Sequence, residues 1–155
     1  MLKINVFAIG TIKEKYLKDA ITEYLKRLSK YAKVEIIELP EIKLQNSEEQ
    51  VIEEEGKSVL KRIKDGEHVI LLDLHGEEID SIQFSNKLLK LKNEGISPIN
   101  FVIGGTFGVS EELRKRSNYK WCLSKLTFTH QFTRVLLLEQ IYRGFKIISN
   151  EAYHH

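Results

Sequence analysis

The sequence predicts an α/β fold in which a mostly parallel sheet carries helices on both faces, and three observations predict it. Short apolar, β-rich runs alternate with segments of helical spacing from one end of the chain to the other. Each run is closed by glycine, proline or a cluster of polar turn residues. The chain has 155 residues, the length of a single domain (1–155) that can bury a core without staples.

The elements follow in order. "INVFAI" (4–9) is a strand stopped by Gly10. Leu17, Ala20, Ile21, Tyr24, Leu28 and Tyr31 then recur at helical spacing, which predicts an amphipathic helix over 14–31. "VEIIEL" (34–39) is a second strand, ended by Pro40, and Ser47 with Gln50 reads as a capping box for a helix over 48–64. "HVILL" (68–72) is a third strand with "DLHGEEID" as a turn-rich exit, and Asp80 caps a helix carrying Phe84, Leu88 and Leu91 on one face. "INFVI" (99–103) is the fourth strand. Ser110 then caps a short helix whose first turn holds Glu111 and Glu112 and whose last turn holds Arg114, Lys115 and Arg116, an order that complements the helix dipole. "YKWCL" (119–123) is the fifth strand, and the last helix covers 130–149.

Composition narrows the function classes. Hydrophobic residues at 42% and charged residues at 30% are ordinary for a soluble globular chain. The single cysteine, Cys122, excludes an internal disulfide and reads as a small core residue in a reducing compartment. The opening "MLKINVFAIG" is too short in its apolar part for a secretory signal, and no apolar run approaches the roughly 20 residues of a membrane span. A cytoplasmic location, away from any membrane, is the expectation. The net charge of +2 hides a pattern: residues 1–30 and 109–155 are basic, and the middle is acidic. Such a distribution either solvates helix surfaces or presents a positive face to a polyanion.

The last helix is apolar around most of its circumference. Glu139, Arg143, Lys146 and Asn150 form one narrow polar strip, and Val135, Leu137, Leu138, Ile141, Tyr142, Phe145, Ile147 and Ile148 fill much of the rest. A helix covering one sheet face needs a single apolar stripe, so this one needs burial on more sides. A second subunit is the expected cover, which predicts a homodimer.

Motifs of familiar chemistry are mostly missing. "IGGTFG" (103–108) lies between a strand and a helix, where open α/β sheets bind ligands, but it matches neither G-x-G-x-x-G nor a P-loop. Without HExxH or CxxC, no metal site is expected. Glu77, Glu78 and Asp80 read as a solvated loop and a helix cap, and no G-x-S-x-G elbow exists for a serine hydrolase. His130 reads as a cap, a donor to a ligand or, most simply, a solvated residue, and "EAYHH" as a frayed end or a tag remnant. There remain three loops leaving strand ends, after Leu72, Ile103 and Leu123. The third, "LSKLTF", offers main-chain groups between apolar walls. That suits an adenine ring better than a phosphate chain.

The segments "FVIGG", "RSNY", "LSKLTF-TH", "RVLLLEQIYRGFKI" and "EAYHH", with the opening "KINVFAIGTIKEKY", closely resemble the ribosomal RNA large-subunit methyltransferase H family, of the SPOUT class. The resemblance runs essentially end to end. It implies a C-terminal segment threaded into a trefoil knot, a topology that periodicity cannot reveal. It implies S-adenosyl-L-methionine held by Leu72, Gly104, Leu123, Ser124, Lys125, Leu126, Thr127 and Phe128. It further implies a homodimer whose active site lies between subunits, methylating N3 of a pseudouridine in helix 69 of 23S rRNA on the assembled ribosome. By the same resemblance Tyr153 and His154 close over the site from the tail. Arg143 is assigned to an RNA phosphate or the base carbonyl, and His154 to the N3 proton. Thr129 stands where proline is common in the family, which predicts a less rigid loop. The competing readings are a nicotinamide reductase, disfavoured by the missing dinucleotide fingerprint, and a non-enzymatic RNA-binding module of ribosome assembly.

Overall fold

Strand residues of alternating parity feed two separate cores. In the computed structural model, which describes residues 1–43 and 47–150, Ile4 and Val6 of β1 (Lys3–Ile9) face one core while Phe7 and Ile9 face the other. This two-sided burial is what a parallel sheet between helix layers requires. The remaining elements follow as α1 (Lys15–Leu28), β2 (Lys33–Leu39), α2 (Glu48–Leu60), β3 (His68–Glu78), α3 (Ser81–Asn93), β4 (Ile99–Val102), α4 (Glu111–Arg116), β5 (Tyr119–Cys122) and α5 (His130–Ile148). The five strands are parallel in the order β2-β1-β4-β3-β5.

Helix placement follows from crossover direction. The steps β1 to β2 and β3 to β4 run one way along the sheet, and their helices, α1 and α3, share a face. The steps β2 to β3 and β4 to β5 run the other way, so crossovers of one hand put α2 and α4 on the opposite face. Register between the central strands is fixed by a buried polar pair: Asn5 Nδ2 donates to Asn100 Oδ1 at 2.9 Å, and Asn100 Nδ2 donates to the His68 carbonyl at 3.2 Å.

Helix α5 lies on the sheet between α1 and α3. Leu137, Leu138, Ile141 and Phe145 are buried, with the Phe145 ring stacked on Tyr31 at 5.3 Å and Tyr142 edge-on to Tyr24 at 6.2 Å. Two flanking helices and a sheet therefore account for most of the apolar circumference that sequence periodicity assigned to a second subunit. Arg134, on the side of α5 opposite Arg143, is fully buried. Its guanidinium donates to the Ile9 and Gly10 carbonyls, both at 2.8 Å, and to Glu38 Oε2 at 2.6 Å. The last helix thereby completes the C-terminal end of the first strand.

Candidate functional site

Strand β3 does not end at Leu72. Leu72 pairs with Trp121 of β5, residues 73–76 leave the ladder, and Glu77 pairs with Trp121 again. Turn-favouring residues mark this excursion as a bulge inside one strand, which is why the sequence reads as an exit from it. Gly76 is essential to the re-entry, because a Cβ there would lie 2.6 Å from the Lys120 carbonyl. Asp73 is buried; its carboxylate accepts from the His75 N–H at 3.0 Å and from Arg114 Nε at 3.1 Å, fixing the bulge to α4.

The second loop follows β4. Gly105 and Gly108 form a small antiparallel bridge, closed by the Gly108 N–H donating to the Gly105 carbonyl at 3.2 Å. A Cβ on Gly104 would stand 2.6 Å from Val109 Cγ1, so the turn folds back on itself only with glycine there. From below, Glu55 of α2 reaches the underside of Gly105. Its Oε2 accepts from the Ile42 N–H at 3.1 Å, while Oε1 is buried without a hydrogen-bond partner among the described residues. Burial pushes the Glu55 carboxyl above its ordinary range, the Ile42 N–H opposes this, and Glu41 adds to it.

The third loop joins β5 to α5. Ser124 Oγ accepts from the Leu126 N–H at 3.0 Å, and Thr129 Oγ1 accepts from the Phe132 N–H at 3.2 Å as the N-cap of α5. Thr129 therefore anchors the loop by a cap, a bond that a proline would have no side chain to make. His130, the first residue of the helix, is half-buried, with Nδ1 lacking a partner among the described residues. Burial, followed by the Arg134 guanidinium, pushes its pKa down, and Glu41 opposes them.

Together the three loops enclose a cleft of about 460 Å³. Its walls are largely apolar, and Leu72, Gly104, Leu123, Ser124, Leu126, Thr127 and Phe128 all line it. Lys125 does not line it: its Nζ lies 3.3 Å from Glu78 at the surface. Asp73, Arg114 and His130 also line the cleft. Sequence reasoning gave Arg114 only a helix-dipole role and Asp73 none, since their contact spans 41 positions and no motif announces it. Arg143 is elsewhere, its Nη2 held 2.7 Å from Glu139 Oε1. Tyr153 and His154 lie outside the described residues. Among the described residues there is no acidic, histidine or cysteine cluster fit for a metal, and no helix long and apolar enough to cross a membrane.

Apolar walls, a glycine turn that brings backbone close, and main-chain groups from a strand bulge and two strand-end loops suit a flat heteroaromatic ligand. Among known families, the one described as "Predicted SPOUT methyltransferase" matches residues 2–154, and the chain belongs to it: it is a methyltransferase of the SPOUT class. Its relatives are more particular. It is 52% identical to "Ribosomal RNA large subunit methyltransferase H 1" of Clostridium perfringens (strain SM101 / Type A), over 99% of each chain. It is 49% identical, over 99% of each chain, to "Ribosomal RNA large subunit methyltransferase H" of Alkaliphilus oremlandii (strain OhILAs). A solved A. aeolicus TrmH/SpoU tRNA modifying enzyme superposes with a TM-score of 0.49 at 16% identity, over 98% of this chain and 81% of that one, too loosely to bear on the site.

Proposed function

We propose that this protein transfers the methyl group of S-adenosyl-L-methionine to large-subunit ribosomal RNA, at N3 of a pseudouridine in helix 69 of 23S rRNA. The substrate is the assembled ribosome in the cytoplasm. The observation that carries this reading is the convergence of Leu72, the Gly104 turn, Leu123, Ser124 and residues 126–128 on one apolar cleft, in a chain about half identical to proteins named for ribosomal RNA methylation. The Leu72, Leu123, Leu126 and Phe128 side chains would wall the adenine, and the loop main chain would meet its polar edge.

The cofactor would supply an activated methyl group. The protein's share is to align N3, exclude water and give the N3 proton an exit. His154 is assigned as acceptor of that proton, with Tyr153 closing the site beside it. Arg143 lies thirteen residues along α5 from His130, about 20 Å at the helical rise, which is too far to serve the cleft of its own chain. Its assignment to an RNA phosphate or the base carbonyl therefore requires a site shared between two copies. A homodimer is further supported by Leu74, Leu126, Phe128 and Phe132, large apolar side chains exposed around the cleft mouth. The trefoil threading of the C-terminal segment belongs to the same proposal. It is supported by the path of the chain from edge strand β5 to the end of β1. A net charge of only +2 gives weak affinity for naked RNA and favours a substrate presented by a large particle.

The test is methyl transfer from labelled cofactor to ribosomes lacking the modification, with the product base identified by mass spectrometry. Label recovered at N3 of one pseudouridine supports the proposal, and no transfer to any ribosomal particle rejects it. Deleting residues 153–155 is expected to abolish turnover, and unchanged turnover removes the tail from the mechanism.

A further inference from the structure

The cleft has apolar walls, yet the ligand proposed for it ends in a charged amino-acid arm. Its carboxylate needs a cation or several N–H groups once water is displaced. Among the described lining residues Arg114 is the sole lysine or arginine. It is also held in place. Its Nε donates to Asp73 at 3.1 Å, and that carboxylate is almost wholly buried, with its other oxygen taken by the His75 N–H. Nη1 stands 3.9 Å from Glu111, beyond hydrogen-bond reach, so the terminal nitrogens make no hydrogen bond to any described residue. A guanidinium fixed through Nε with its fork left open is arranged to receive a carboxylate by two parallel bonds.

We propose that Arg114, oriented by Asp73, is the binding residue for the carboxylate of the cofactor's amino-acid arm. The inference rests on the cofactor reading above and adds to it a division of labour. The bulge of β3 and the loops after β4 and β5 recognise the nucleoside, and α4 recognises the arm. If Arg114 merely tied α4 to the β3 bulge, its loss would weaken every ligand of the cleft alike. An arm-binding residue distinguishes ligands that possess the carboxylate from those that do not.

Calorimetry with three ligands separates these cases. S-adenosyl-L-homocysteine carries the whole arm, its decarboxylated analogue keeps only the amine, and 5′-methylthioadenosine has no arm. The wild-type protein is expected to bind S-adenosyl-L-homocysteine at least about tenfold more tightly than the decarboxylated analogue, a comparison that needs no variant. Arg114→Gln is expected to weaken S-adenosyl-L-homocysteine roughly 10- to 100-fold and 5′-methylthioadenosine by less than about twofold, with Arg114→Lys in between. Equal affinities of the wild type for the first two ligands overturn the proposal. Equal losses for all three ligands in Arg114→Gln overturn it as well. If the wild type binds none of them, the cofactor reading itself has failed, and this inference falls with it.

Discussion

Replacing Arg134 by methionine tests how the last helix is fastened to the first strand. The substitution keeps most of the aliphatic stem and removes three charge-assisted hydrogen bonds, two to main-chain carbonyls and one to Glu38. Glu38 is partly exposed and still accepts from the Ile12 N–H at 3.1 Å, so it rehydrates at modest cost. The Ile9 and Gly10 carbonyls lose their Arg134 donor under a packed helix, at about 1–3 kcal/mol each. Relief of the guanidinium's desolvation offsets part of this. The net loss should be about 3–4 kcal/mol, within the range for breaking a buried ion pair by removing one partner. Measured by urea unfolding with a slope of about 2 kcal/mol/M, the midpoint should fall by roughly 1.5–2 M. A total stability of about 5–15 kcal/mol leaves the variant folded and measurable. Arg134→Lys should fall between, because one ammonium cannot span three acceptors set out for a fork. A midpoint shift below about 0.5 M at unchanged slope would show that the guanidinium does not secure this junction.

Four further outcomes are expected. Gly105→Ala should destabilise by about 1–3 kcal/mol, because its Cβ would stand 2.5 Å from Glu55 Oε1; adding Glu55→Ala should recover part of that loss, which a double-mutant cycle reads directly. His130 has a pKa below its ordinary 6.5 in the folded protein, so the unfolded chain binds more protons just below that value. Its contribution is complete above pH 6.5 and is lost as the pH falls through the folded value, and His130→Gln should flatten that part of the stability curve. Glu55 has the opposite sign: a carboxyl raised above 4.5 in the fold stabilises less as the pH climbs through its folded value, and Glu55→Gln should remove that decline. Lys125→Ala should change S-adenosyl-L-homocysteine affinity by less than about twofold, since its ammonium faces Glu78 and solvent.

Most elements were legible because local signals agreed with the fold. Ser47, Asp80 and Ser110 all cap the helices they announce, with Asp80 and Gln83 forming the full reciprocal box. The cleft was legible as three loops along a parallel sheet, although only those after β4 and β5 leave strand ends and the first is the bulge of β3. Other features were hidden for physical reasons. Two residues of β3 resume beyond a bulge, and residues 77–78 are too few to show a period of two. The apolar girth of α5 reports how many sides are covered but not by what, and here α1 and α3 cover much of it. Arg134 could have been found as a lone arginine on the apolar side of a helix, nine residues and about 180° from Arg143. The Asp73–Arg114 pair and the acid beneath the glycine turn depend on distant contacts that no spacing encodes.

The interruption in β3 returns to the very residue it left, Trp121, so the sheet registers no difference between a long detour and a short one. Asp73 and Gly76 hold the detour in place, and the two residues between them, Leu74 and His75, can change without shifting any strand against its neighbour. Because Leu74 and His75 line the cleft, the molecule has a place where the fit to what enters it can drift while the scaffold beneath stays still.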